Sequence, residues 1–365
     1  MNQKIRNVGI AALVVLWILL TAAAWFVPEK DISASERRPL AQMPELSWKD
    51  FIGGRFASQV EDAATDQFPL RDTFRSIKAL FSKYVLNQKD NNGIYLADGH
   101  AAKQEYPLNQ SSVDYALNKF NYLYETYLKD SNVVMAVVPD KGYYLAEQNG
   151  YLAMDYESLF DQIRLGMPWA QHVDLTGALS VSDYYRTDTH WKQENLLPAA
   201  KLLTDALGVA APKQEIYTPT VVDVPFYGVY YGQAALPMDP EEITLMSSQL
   251  LQGCRVYNHE TGKYTQVYDL EKKTSQDLYD IYLSGAQALL TIENPAGQEG
   301  RELIVFRDSF GSSMAPLLVE DYAKVTLVDL RYIKGELLGN FLEFHGQDVL
   351  MLYSTLILNS SMSLK

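Results

Sequence analysis

A single cysteine, Cys254, stands among 365 residues, which excludes an intramolecular disulfide and a cysteine metal cluster. Histidine is nearly as scarce. His100, His172, His190, His259 and His345 share no His-Glu-x-x-His or paired spacing, so no metal is expected. Glycine-rich phosphate loops, Walker motifs and dinucleotide fingerprints are absent, and no cofactor is expected. Positive charge is short as well: 31 Lys and Arg stand against 45 Asp and Glu, a net charge of −14. That balance argues against nucleic acid as a partner and against electrostatic attraction to anionic lipid. Repeats, heptads and low-complexity tracts are missing too. What the chain has is apolar bulk. Hydrophobic residues make up 47% and aromatics 12%, enough for a large core, so the 25 tyrosines need no ligand to explain them.

The amino terminus carries the one long hydrophobic run. Lys4 and Arg6 precede an uncharged stretch from Val8 to Val27. As a helix it spans about 30 Å, the thickness of a hydrocarbon core. Basic residues before it and Glu29-Lys30-Asp31 after it place the body on the extracytoplasmic side of the membrane. Trp17 and Trp25 lie in the run, the second where an interfacial aromatic sits. Ala22-Ala23-Ala24 offers a small-x-small cleavage site, the signal-peptide alternative. The apolar run continues past it through Trp25-Phe26-Val27, which favours an uncleaved anchor. With either reading the body is extracytoplasmic.

Residues 1–30 are thus read as the anchor, and 31–90 as a juxtamembrane linker and helical segment. Phe51, Phe56, Val60, Phe74, Ile77, Leu80 and Phe81 recur at helical spacing, and Phe68-Pro69 divides the pattern into two helices. Residues 91–365 read as an α/β domain. Val133–Val138, His172–Leu175, Leu303–Phe306, Lys324–Val328 and Asp348–Tyr353 are strand candidates. Tyr115–Tyr127, Tyr156–Ile163, Asn195–Leu207 and Ser312–Tyr322 are helix candidates between them. The alternation predicts a three-layer sandwich around a mostly parallel sheet. About 209–299 breaks the rhythm and reads as a β-rich insertion, with Tyr264–Tyr268 alternating like a half-exposed strand.

Two short segments carry chemistry. Asp188-Thr189-His190-Trp191 places a carboxylate and an imidazole two residues apart, and Arg307-Asp308-Ser309-Phe310-Gly311 puts a serine between an apolar strand and a helix. Serine, histidine and aspartate are the three groups that turn an alcohol into a nucleophile. Ligands of open α/β sheets bind beyond the carboxyl ends of the strands, where Ser309 falls. Free N–H groups at a helix start there could stabilise an oxyanion. If the Asp188–His190 segment is extended, residues two apart share a side and the carboxylate reaches the ring.

At these residues the chain resembles the DHHW protein family, related to alginate O-acetyltransferase proteins and more distantly to SGNH hydrolases. The resemblance extends from about Ser35 to the carboxyl terminus. It takes in Asp66–Asp72, Asn91–Tyr95, Val137–Lys141 and Tyr353–Leu356. It implies an SGNH-hydrolase-like fold with Ser309 as nucleophile, His190 as base and Asp188 as the group that orients the ring. Thr189 replaces the first histidine of the name motif. Arg307 stands where such motifs carry Gly or Lys, and Ser284-Gly285-Ala286-Gln287 lacks a Gly-Gly-Asn, so the second oxyanion donor is unassigned. Gly285, Lys141, Trp191 and Arg307 are the further substrate-binding or oxyanion candidates. Asp140 shares a strand end with Lys141, while Asp329 and Arg331 read as a buried ion pair.

The reading that follows is an extracytoplasmic, membrane-anchored enzyme that transfers or removes acetyl esters on a cell-surface polysaccharide. Acetyl-CoA is not available outside the cell, so transfer would require a multi-span membrane acyltransferase partner to hand acetyl groups across, as the resemblance implies. An acetyl esterase with the same site is the close alternative. A non-catalytic polysaccharide-binding or assembly scaffold, favoured by the departures at Arg307 and Gly285, is the distant one.

Overall fold

The computed structural model describes residues 3–24, 26 and 28–365, in two compact units. Trp25 and Val27, at the end of the apolar run, lie outside the described residues. The first unit comprises residues 1–92 with 231–237. It opens with α1, Gln3–Ala24, long and apolar enough to cross a membrane; a signal sequence meets the same measure. Its apolar side chains are exposed along its length.

Helices α2 (Trp48–Ile52), α3 (Arg55–Asp66) and α4 (Arg71–Tyr84) follow. Three helices thus stand where the apolar spacing predicts two. Gly54, at φ 75°, separates α2 from α3, a turn that spacing alone does not reveal. The break at Phe68-Pro69 falls between α3 and α4. This unit is held by ions. Arg38 grips Asp66 bidentately at 2.7 and 2.8 Å, and Glu36 pairs with Arg71 at 2.5 Å and Arg75 at 3.1 Å. The Arg38 guanidinium draws the Asp66 carboxyl down to about 2.

The second unit, residues 93–230 with 238–365, is built on an eight-stranded sheet. Its strands in chain order are β1 Val133–Val138, β2 Gln171–Asp174, β3 Arg255–Asn258, β4 Lys263–Thr265, β5 Leu289–Glu293, β6 Gln298–Arg307, β7 Tyr322–Val328 and β8 Asp348–Ser354. Across the sheet they run β4-β3-β5-β7-β6-β8-β1-β2. The five from β7 to β2 are parallel; β5, β3 and β4 add antiparallel. The sheet is therefore mixed rather than mostly parallel. The added strands come from the Tyr-, Thr- and Val-rich stretch before β6, where β3 and β4 form a hairpin that needs no crossover.

Alternation along β1, β6 and β8 divides the core between the two faces. Val134, Ala136, Val305 and Leu350 pack with the helix Leu197–Leu207 on one side. Met135, Ile304, Phe306 and Met351 pack with the helices Gln110–Leu123 and Tyr156–Gly166 on the other. The helix expected over Ser312–Tyr322 is not formed. One turn, Gly311–Met314, tightens into a 3-10 segment, Ala315–Leu318, and Tyr322 already belongs to β7. Pro316 has no N–H to continue the α pattern.

Candidate functional site

Ser309 follows β6 by two residues, and Asp308 braces the turn that presents it. The buried Asp308 carboxylate accepts from Phe310 N at 3.0 Å and from Ser354 N, at the end of β8, at 2.8 Å. Ser309 itself stays half-buried. Its own N–H has no acceptor among the described residues, so it remains free to meet a negative oxygen.

The imidazole arrives from a loop 119 residues away in sequence. His190 Nε2 lies 2.7 Å from Ser309 Oγ, and Nδ1 lies 2.6 Å from Asp188 Oδ1. The segment is not extended. His190 N also donates to Asp188 Oδ1 at 3.0 Å, so the carboxylate closes a turn on itself and holds the ring with the same oxygen. Val229 N donates to the other oxygen, Oδ2, at 2.8 Å. Asp188 is fully buried with its oxygens satisfied, the condition for a carboxylate that orients without leaving water behind.

Other segments hold this loop in place. Tyr184 and Trp191 form an isolated bridge at its neck. Glu241 accepts from the N–H groups of Arg186 and Thr187, both at 2.8 Å. Gly228 comes so close that a Cβ would sit 2.3 Å from Asp188 Cα. Tyr279 stacks on the imidazole, centroids 3.9 Å apart and 7° from parallel, and its hydroxyl bonds Ser313 at 2.7 Å. None of Gly228, Glu241 or Tyr279 stands out in the sequence, since each lies far along the chain from the loop it supports. The Gly in Tyr227-Gly228 is the one trace, and only as a turn residue.

The further candidates scatter. Trp191 is buried and donates through Nε1 to Phe310 O at 3.1 Å and Ser313 Oγ at 2.8 Å, tying the histidine loop to the serine turn. Lys141, at the carboxyl end of β1, is buried, with Nζ donating to Tyr185 O at 2.9 Å and Arg186 O at 3.2 Å and lying over the Tyr230 ring. Burial brings its amine down to about 7, against the attraction of Asp188, Glu241 and Asp140. Asp140 caps the following turn and accepts from Gly142 N, Tyr156 and Thr355, while burial pushes its carboxyl up.

Arg307 is buried beneath the turn, 3.5 Å from Asp329, which Arg331 grips at 2.6 and 2.9 Å. Gly285 gives its N–H to Tyr282 O at 3.2 Å and takes φ 80°, where a Cβ would strike Asp280. Asp188, His190, Ser309 and Trp191 thus come together with Lys141 behind the loop. Gly285 is engaged in its own turn, and Arg307, the last residue of β6, lies buried beside Asp329.

The arrangement can deprotonate a serine hydroxyl, stabilise the imidazolium that results and receive an oxyanion at one backbone N–H. No curated protein matches the chain. Among solved structures, a DHHW family protein from Eubacterium siraeum has a TM-score of 0.62 at 22% identity, covering 75% of this chain and 94% of that one. Bacillus cereus PatB1, solved with a sulfonyl adduct, has 0.57 at 15% identity, over 73% and 95%. Likeness at these identities is likeness of fold. The DHHW protein family model matches residues 179–328, the stretch that holds Asp188, His190 and Ser309 and closes with the last residue of β7.

Proposed function

We propose that the protein is an acyl-transfer enzyme that moves acetyl groups onto hydroxyls of a cell-surface polysaccharide through an acetyl-Ser309 intermediate. One observation carries this reading: the continuous line Asp188–His190–Ser309, with contacts of 2.6 and 2.7 Å. His190 Nε2 takes the serine proton as Oγ attacks the acetyl carbonyl, and Asp188 steadies the imidazolium. The Ser309 N–H faces the oxyanion. The donor's oxygen then leaves with the proton from His190. In the second half a sugar hydroxyl gives its proton to His190 and attacks the acetyl carbon, and Ser309 leaves with that proton. Hydrolysis uses the same groups with water in place of the sugar.

The resemblance of the motifs to alginate O-acetyltransferase proteins supports acetyl as the group and a polysaccharide as acceptor. The basic residues Lys4 and Arg6 in the first turns of α1 support a body outside the cell, tethered by that helix. A multi-span membrane acyltransferase would supply the acetyl groups there. Lys141 and Trp191 then serve as positioning residues rather than substrate contacts.

The test is direct. The intact protein is treated with a sulfonyl fluoride or fluorophosphonate probe, then offered a chromogenic acetyl ester with and without oligosaccharide. The expected result is a label on Ser309 that Ser309→Ala lacks, with acetylated oligosaccharide formed in preference to acetate. Acetate alone would favour the esterase. A well-folded protein that takes no label and is inert on both would leave the scaffold reading.

A further inference from the structure

Helix α4 is amphipathic the wrong way round for a helix at rest in water. Phe74, Ile77, Phe81 and Tyr84 recur at spacings of three and four, so they line one face, and Leu70 stands at the N-cap just before them. All five are exposed, between 40% and 69%. The opposite side faces inward with small or polar groups: Ala79 and Ser82 are buried, and Arg71 and Arg75 are half-buried in their ion pairs with Glu36. An apolar face turned outward marks a contact surface.

What covers it is indicated by its starting point. Phe68 packs edge-on against Phe74 at 5.6 Å, and Trp17 of α1 lies 6.2 Å from Phe68. A line of rings therefore leads from the middle of the apolar helix into the stripe on α4. Trp17 sits seven residues before the end of α1, about 10 Å along the axis. Interfacial helices bury their apolar face to about 5–10 Å. The stripe and the span are thus at compatible depths.

We propose that the outward face of α4 lies in the interfacial layer of the membrane that α1 crosses, forming a second lipid contact that holds this unit against the bilayer. This rests on α1 being an uncleaved span. A second copy of the chain fits the stripe poorly. Five side chains exposing roughly 100 Å² each fall short of the roughly 800 Å² per partner of a standard interface. The net charge of −14 gives no electrostatic pull toward anionic lipid, so the contact is apolar, insensitive to salt and satisfied by zwitterionic lipid.

The experiment uses the full chain in phosphatidylcholine vesicles. Cys254 is buried, so a cysteine introduced by Ile77→Cys, Phe81→Cys or Asp72→Cys takes an environment-sensitive fluorophore alone. Asp72 lies on the side of α4 away from the stripe. Labels at 77 and 81 should be quenched by doxyl-lipid and shielded several-fold from aqueous iodide relative to 72, equally at low and high salt. Probe labelling of Ser309 reports that the fold is kept. Equal iodide quenching at 77, 81 and 72, in protein that carbonate washing leaves in the vesicles, would overturn the lipid contact while sparing the anchor. Loss of the protein on carbonate washing would overturn the anchor, and the inference with it. In native membranes a photocrosslinker replacing Phe81 should capture lipid. Capture of a second copy or another membrane protein would also overturn the proposal.

Discussion

Lys141 and Asp188 show how single buried charges shape this site. The Lys141 amine donates to two backbone carbonyls of the loop that carries Asp188 and His190. Two acceptors suit the two N–H bonds of a neutral amine, and burial brings its pKa from 10.5 to about 7. The folded protein therefore releases this proton near neutrality, while the unfolded chain keeps it until about 10.5. Between those limits the unfolded chain holds more protons, so this group's contribution to stability rises with pH and is lost as pH falls toward 7. Urea unfolding of wild type and Lys141→Met should then diverge with rising pH, wild type gaining on the variant between pH 7 and 10. Parallel curves would show that the amine does not titrate in that window. Asp188→Asn asks a different question. The amide keeps the shape but offers an N–H where the ring needs an acceptor. Turnover of a small acetyl ester should fall by about 10²- to 10⁴-fold with little change in Tm.

At the scale of elements, a loop with little regular structure must hold an imidazole to within a fraction of an ångström. It does so by borrowing supports from elsewhere: Gly228 packs on Asp188, Tyr279 stacks on His190, and Trp191 reaches the serine turn. Gly228→Ala places a methyl 2.3 Å from Asp188 Cα, so the loop must shift. Activity should drop at least tenfold and stability by about 1–3 kcal/mol, the usual cost of overpacking. A thermal melt together with ester turnover measures both. Unchanged turnover would mean that the close approach does not position the carboxylate. These supports explain what could be read from sequence and what could not. Asp188, His190 and Ser309 were legible because their residue types stand in two short segments. Val133–Val138 and Leu303–Phe306 were legible as apolar runs. Strand direction was not, because an apolar run says nothing of its neighbour, and β5 joins β7 antiparallel. Nor was the turn at Asp188, where the side chain bonds its own backbone instead of lying extended.

Across the whole molecule, acid should separate the two units. In the first unit, Arg38 holds the Asp66 carboxyl at about 2, below its ordinary 3.8. A depressed carboxylate contributes stability that is fully present above the unfolded value and is lost as pH falls toward the folded one. The first unit should therefore weaken between about pH 4 and pH 2. In the second unit, Asp140 runs the other way. Burial raises its pKa, so what it contributes is present below pH 3.8 and is lost as pH rises. Lowering the pH thus first relieves a buried charge just past the carboxyl end of β1 in the second unit, a gain complete by pH 3.8, and below that removes an ion pair from the first unit. Hydrogen exchange read by mass spectrometry should show residues 31–92 losing protection before the strands β1, β6 and β8 as pH is lowered through that range. Asp66→Asn should make the first unit weaker at neutral pH and flatten its acid response, leaving exchange in the sheet unchanged. If both units lost protection together in wild type and variant alike, the ion pairs around Asp66 would not be what holds the first unit.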